Sequence, residues 1–183
     1  MTVSVYLPDS EPGPPAATMA SSPASLAGLR IAVLDNGKPN ADVVMTAAAE
    51  ALARRTGATV SLVTKKGPRG ESANAAIRCD ADIFDRVVAE ADLVITGAAD
   101  CGSCTAYSVT DAIEFEKAGR PAVVATTTQF EPVATTLSAS FGQPHTRLLV
   151  LPHPIGGTDA PTLQAWAEAA TDDLIALFTT ARG

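Results

Sequence analysis

Basic charge is in short supply: 13 Lys and Arg stand against 20 Asp and Glu, for a formal net charge of −7. A chain so balanced offers no broad cationic face, so neither nucleic acid nor an anionic membrane is expected as a partner. A small anionic substrate is not excluded, because it needs only a local positive site. Long apolar runs are also missing, and none reaches the ~20 residues that a membrane span requires. No positively charged start leads into an apolar stretch, so no secretory signal peptide is expected. Aromatics make up only 4% of the residues, and much of the apolar mass is alanine and valine. Cysteine is scarce, with three copies, and an odd number does not make a secreted disulfide framework. Two of them are spaced Cys-x-x-Cys, which points to redox, nucleophile or metal chemistry in a reducing compartment and hence to a cytoplasmic protein. No second Cys/His pair completes a zinc set, so no metal is expected.

What is present is a globular pattern. The 183 residues, 46% of them hydrophobic, suit one domain. Residues 1–27 are rich in Pro, Ser and Ala and read as a flexible N-terminal arm, within which Val3–Leu7 has the makings of a short edge strand. Residues 28–183 form the expected single α/β domain. Apolar runs at 29–34, 59–64, 92–97, 121–127 and 147–151 read as strands. Helical periodicity follows at about 40–56, 82–90 and 104–117, again from Glu131, and in a last helix capped at Asp159 and running through Leu177. Lys65–Gly70 carries breakers and reads as a loop. Strands alternating with helices call for a parallel sheet covered on both faces. Right-handed crossovers leave the flavodoxin-like, Rossmann-like three-layer sandwich of order 2-1-3-4-5 as the best topology.

In that topology ligands bind beyond the carboxyl ends of the strands, at the switch point between strands one and three. The two loops meeting there are the least generic in the sequence: Asp35-Asn36-Gly37-Lys38-Pro39-Asn40, and Gly97 through Thr105 with Cys101-Gly102-Ser103-Cys104 inside it. A thiol at the start of a helix meets unpaired backbone N–H groups and the positive end of the helix dipole, which favour its thiolate. Cys101 is expected to be the exposed, attacking thiol, and Cys104, one turn on, the resolving one. Asp100 opposes a neighbouring thiolate as an anion and serves as a base as a proton acceptor. His153, between two prolines at the end of strand five, is a candidate general acid or base. Substrate-binding candidates are Asp35, Asn36, Lys38, Asn40, Gly102, Ser103, Thr105 and Thr127. Cys79 reads as an ordinary buried thiol and His145 as a loop residue. Glu114 and Glu116 read as solvent-facing or paired with Lys117.

Four stretches, Leu34–Asn40, Gly97–Thr105, Asp111–Glu114 and Leu151–Gly157, resemble the UGSC (seleno)protein family. That family is named for selenocysteine-Gly-Ser-Cys, and Cys101 stands at the selenocysteine position, a slower nucleophile in its place. The resemblance implies redox or nucleophilic chemistry at the pair and leaves the substrate unnamed.

Three functions compete. The first is a thiol-dependent oxidoreductase acting on a small molecule, with no bound cofactor and an external thiol or dithiol as reductant. The second is a cysteine-nucleophile hydrolase, lyase, transferase or isomerase, acting on a small acyl or carboxylate substrate through a covalent Cys101 adduct without net redox. The third is a binding or metal-handling protein. No Ser/Thr-rich phosphate loop follows strand one, so flavin is not expected. Self-association as a homo-oligomer stays open.

Overall fold

The computed structural model describes residues 18–66 and 75–180. Five strands, β1 Arg30–Asp35, β2 Thr59–Thr64, β3 Leu93–Ala99, β4 Ala122–Thr127 and β5 Arg147–Leu151, alternate with helices α1 Ala41–Thr56, α2 Ala81–Glu90, α3 Gly102–Lys117 and α4 Glu131–Ser140. Helices α5 Ala160–Ala169 and α6 Thr171–Thr179 follow β5. The sheet order is β2-β1-β3-β4-β5, and every pair is parallel. This is the flavodoxin-like order expected from the sequence.

The period-two geometry of the strands builds two cores from one sheet. Ile31, Val33, Leu93, Ile95, Val123, Ala125, Leu149 and Leu151 pack with α1, α5 and α6. Their neighbours Ala32, Leu34, Val94 and Val124 turn the other way and pack with α2, α3 and α4. Strands β3 and β4 are buried throughout because both faces are covered, whereas the edge strand β2 has no fully buried residue. Such double coverage explains why the central strands read as continuous apolar runs.

The structure corrects the sequence reading in three places. Residues 18–27, assigned to a flexible arm, lie against the domain: Ala20 and Leu26 are buried, and the Ala20 N–H donates to Glu116 Oε2 at 2.7 Å. Residues 1–17 of that arm, Val3–Leu7 included, and residues 67–70 of the loop expected over 65–70 lie outside the described residues. Glu116 is not at the surface, since its side chain and that of Arg147 are both fully buried as an ion pair. Glu114 does pair with Lys117, at 3.0 Å. Lys65, in the loop after β2 as expected, is buried with its Nζ 2.8 Å from Asp111 Oδ2. The single last helix is two helices, α5 and α6, meeting at Ala170. There the buried Thr171 hydroxyl donates back to Ala167 O at 3.2 Å, a local bond that bends helices.

The Glu116–Arg147 pair ties together distant parts of the chain. Arg147 Nε donates to Leu177 O at 2.9 Å, and its Nη2 donates to Ala20 O at 3.0 Å and Ser22 Oγ at 3.1 Å. Glu116 Oε1 also accepts the Ala122 N–H at 2.8 Å. Removing one member strands the other charge in the interior. Arg147→Met is therefore expected to lower the free energy of unfolding by ~3–5 kcal/mol. Glu116→Gln combined with Arg147→Met leaves no buried charge and should cost less than Arg147→Met alone. Urea denaturation of the three proteins checks the order, and a double variant weaker than the single would refute it.

Candidate active site

The site forms where β1 and β3 end side by side and the chain leaves each strand in a different direction. Asn36 is held between them: its N–H donates to Gly97 O at 3.0 Å and its Nδ2 to Ala98 O at 2.9 Å. Asp35 Oδ1 accepts the Gly37 N–H at 2.9 Å, and Asn36 Oδ1 accepts the Lys38 N–H at 3.1 Å. Two successive Asx side chains thus fold the β1–α1 loop on itself. Both are at least 98% buried, with 1% and 2% exposure. The sequence reading gave them to substrate, and the structure gives them to the loop.

β3 must pass close to β4 at this point. Gly97 has φ 153°, and a Cβ built on it would stand 2.8 Å from Ala125 O and 3.2 Å from Met45 Sδ. Only glycine fits so close an approach. The β3–β4 register slips between Thr96 and Ala99, and Thr126 Oγ1 donates to Ala99 O at 2.9 Å. This irregular strand end delivers Asp100 and Cys101 to the start of α3.

Cys101 is the N-cap of α3, with extended backbone and its Sγ accepting the Cys104 N–H at 3.3 Å. Cys101 and Cys104 are joined as a disulfide of 2.01 Å. Cys104 is buried, with 3% exposure, while Cys101 is partly exposed and Gly102 and Ser103 lie at the surface. Ser103 Oγ is 3.8 Å from Cys101 Sγ. The first-turn N–H groups point out of the helix end toward this surface, as they do in any helix. Thr105 lies behind it: its hydroxyl donates to Cys101 O at 2.6 Å and it has no exposure, so it fastens the cap and does not face substrate.

Charge of both signs borders the pair. Lys38 Nζ stands 3.5 Å from Asp100 Oδ1, and the Asp100 side chain is only 6% exposed against 30% for Lys38. Asn40, another expected substrate ligand, is engaged elsewhere, since its Nδ2 donates to Ile155 O at 3.0 Å and Thr158 O at 2.8 Å. It thereby draws in the loop after β5. A Cβ built on Gly156 of that loop would lie 4.0 Å from both Asp100 Oδ2 and Pro39 Cβ. The same loop carries His153, which is exposed. Its Nδ1 shares a 3.1 Å hydrogen bond with Thr127 Oγ1, and its ring centroid lies 5.8 Å from that of Phe130. Thr127 is fully buried, so it orients His153 from behind.

Loops from β1 and β3 therefore converge, as the strand order requires, and the Asn40 hydrogen bonds bring the loop after β5 to join them. Cys101, Gly102, Ser103, Lys38 and His153 remain with exposed surface. Asp35, Asn36, Asn40, Thr105 and Thr127 support them from behind or between the loops. Among the described residues no cluster of three or more His, Cys, Asp or Glu is arranged to hold a metal ion.

Below the site, sequence reasoning missed the buried Lys65–Asp111 pair. Asp111 Oδ1 also accepts the Cys79 N–H at 3.0 Å, and Lys65 Nζ lies 5.9 Å from the Tyr107 ring centroid. Burial raises the Asp111 carboxyl above the usual range against the pull of Lys65. The available signal was a lysine directly after a strand, with an acid on the apolar side of the next helix.

A model of the UGSC family matches residues 5–180. The chain belongs to the UGSC family. Comparison with curated proteins gives no match. Among solved structures, it is similar to the flavodoxin-like domain of a Synechococcus sp. protein, at 13% identity and a TM-score of 0.40, covering 79% of this chain and 96% of that one. It is also similar to an FMN-dependent NADH-azoreductase from Bacillus anthracis in complex with FMN, at 8% identity and a TM-score of 0.40, covering 82% of this chain and 99% of that one. A third is translation elongation factor SelB from Methanococcus maripaludis with a GTP analogue, at 12% identity and a TM-score of 0.40, covering 87% of this chain and 35% of that one. The flavodoxin-like assignment of this UGSC-family chain rests on its strand order.

The third cysteine sets an internal standard for reactivity. Burial, then the Asp111 charge, push the Cys79 thiol up to about 12. At pH 8 its thiolate is then a fraction of roughly one in ten thousand. In the reduced native protein, iodoacetamide is expected to modify Cys101 first and to leave Cys79 unmodified until the chain is unfolded. Peptide mass mapping over time reads this directly, and early native labelling of Cys79 would contradict it.

Proposed function

We propose that this UGSC-family protein is a thiol-dependent oxidoreductase acting on a small molecule through Cys101 and Cys104. The observation that carries the reading is the disulfide between a partly exposed cysteine at a helix N-cap and a buried one three residues on. In the reduced enzyme the Cys101 thiolate attacks one sulfur of a substrate disulfide, forming a mixed disulfide and releasing the other half as a thiolate. Cys104, deprotonated, then attacks Cys101 Sγ. The Cys101–Cys104 bond forms and the second half leaves as a thiolate. Two electrons pass to the substrate, and an external thiol or dithiol reductant returns the pair to its starting state. A peroxide oxygen is an equivalent electrophile, with a sulfenic acid on Cys101 as the intermediate and water as the group Cys104 displaces.

The neighbours support such a cycle. The helix N-terminus favours the Cys101 thiolate and Lys38 adds positive charge, with the buried Asp100 carboxylate as the counterweight. His153, oriented by Thr127, serves the leaving group from the exposed side. A reducing, cytoplasmic setting fits this use of cysteine.

Intact mass before and after mild oxidation, on wild type, Cys101→Ser and Cys104→Ser, tests the reading. The expected result is a loss of about 2 Da, reversed by dithiothreitol and needing both cysteines. If no such loss occurs while Cys101 still alkylates selectively, the redox cycle is wrong. A covalent-nucleophile enzyme without net redox then takes its place.

A further inference from the structure

Asn40 makes contacts that none of the proposed chemistry needs. It is the only non-glycine residue of positive φ among those described, at 65°, and it caps α1 without a side-chain hydrogen bond to that helix. Its amide instead reaches across 115 and 118 positions of sequence to Ile155 O and Thr158 O. β1 and β5 are separated in the sheet by β3 and β4, so this bridge crosses over the carboxyl end of β3. Asp100 is the residue that β3 places there. A Cβ built on Gly156, between the two carbonyls that Asn40 holds, would lie 4.0 Å from Asp100 Oδ2 and equally far from Cβ of Pro39, the residue before Asn40. The carboxylate immediately before Cys101 is thus largely shielded from solvent beside a loop that Asn40 bonds at two carbonyls, in addition to the His153–Thr127 hydrogen bond and the buried Ile155.

We infer that Asn40 is a positioning residue that holds the 153–158 loop over Asp100 and so sets how strongly that carboxylate acts on Cys101. The inference rests on the thiol chemistry proposed above, although not on its being redox. A carboxylate opposes negative charge on a neighbouring thiol, and it does so more strongly where water is excluded. Among the described residues, the cation paired with Asp100 is Lys38, from the same β1–α1 loop as Asn40. His153 stands on the loop being held. Releasing the loop admits water, weakens the opposition and raises the reactivity of Cys101. Aspartate 100 is the mediator, so the effect must disappear when its charge does.

The test is a double-mutant cycle on the full chain, reduced, with the second-order rate of Cys101 alkylation by iodoacetamide at pH 7 as readout. Asn40→Gly keeps the backbone freedom that a positive φ requires and removes only the amide. It is expected to raise the rate roughly fivefold, as the loss of about one net hydrogen bond's hold on the loop would give. In the Asp100→Asn background the same change is expected to leave the rate within about twofold, the two sites being coupled and not additive. Asn40→Asp, which turns an acceptor toward the same two carbonyls, should behave as Asn40→Gly does and carries the test if the glycine variant does not fold. Equal effects of Asn40→Gly with and without the Asp100 charge, or no effect in either, overturn the inference. Because alkylation needs only a reactive Cys101, the cycle answers even if the mass experiment finds no reversible disulfide and the redox reading fails.

Discussion

The buried ion pair between Glu116 and Arg147 fixes the frame in which the cysteines sit. Glu116 is in the last turn of α3, the helix whose first turn carries Cys104. Arg147 opens β5, and through it the pair reaches the end of α6 and the residues around Ala20. Each remaining polar atom of the pair has a backbone or side-chain partner, which is the condition under which a buried charge pair is tolerated. A second buried pair, Lys65–Asp111, grips the same helix about midway, and the Cys101 cap and Thr105 hydroxyl grip its start. α3 is therefore held at three levels along its length. A helix so fixed presents its N-terminal turn in one place, which is what a thiol pair needs if its reactivity is to be set by neighbours and not by loop motion.

Fixing the top of the sheet uses most of the polar side chains found there. Asp35 and Asn36 fold their own loop, Thr126 satisfies the carbonyl left open by the register slip, Thr127 orients His153, and Asn40 joins loops from opposite sides of the sheet. In a parallel sheet the strand ends bring together backbone groups with no ladder partner, and buried ones must be paired. That requirement, more than substrate recognition, accounts for the Asx- and Thr-rich composition of these loops. What remains for chemistry is a short set: the two sulfurs, the Lys38–Asp100 pair, the exposed helix turn and His153.

The same requirement explains how far the sequence could be read. The five strands, their order and the position of the cysteine motif followed from apolar runs, period and crossover handedness. These properties are local or are fixed by general topology. The motif loops were also correctly brought together, since strand order alone decides that. The sequence reading could not tell a polar residue facing substrate from one facing backbone. Asn36 and Asn40 look alike in the string, and only the third dimension shows Asn36 bound to the β3 end and Asn40 to the loop after β5. Glu116 was misread for a related reason. Two residues from Glu114 and next to Lys117, it lies where charge usually means surface, and the partner that draws it inside is 31 positions away. The break at Ala170 was hidden because the apolar period runs on through it from Leu163 to Leu177.

The N-cap position itself puts the two sulfurs within reach. Cys101, extended just before α3, and Cys104 in its first turn have Cα atoms 5.3 Å apart, within the span a disulfide bridges. Opening or closing the Cys101–Cys104 bond then asks for side-chain rotation and little movement of α3. If the backbone hardly changes between the two states, the balance between them is set by what stabilises or opposes the thiolate. The first-turn N–H groups and Lys38 act on one side, and the enclosed Asp100 on the other. A sulfur nucleophile at Cys101, in place of the selenium that the family resemblance implies there, makes that balance weigh more heavily. A thiol has less intrinsic acidity than a selenol, so more of its reactivity near neutral pH must come from the charges the fold places around it. The enclosure of Asp100 is accordingly not incidental packing. It determines the strength of the one local charge that works against the nucleophile.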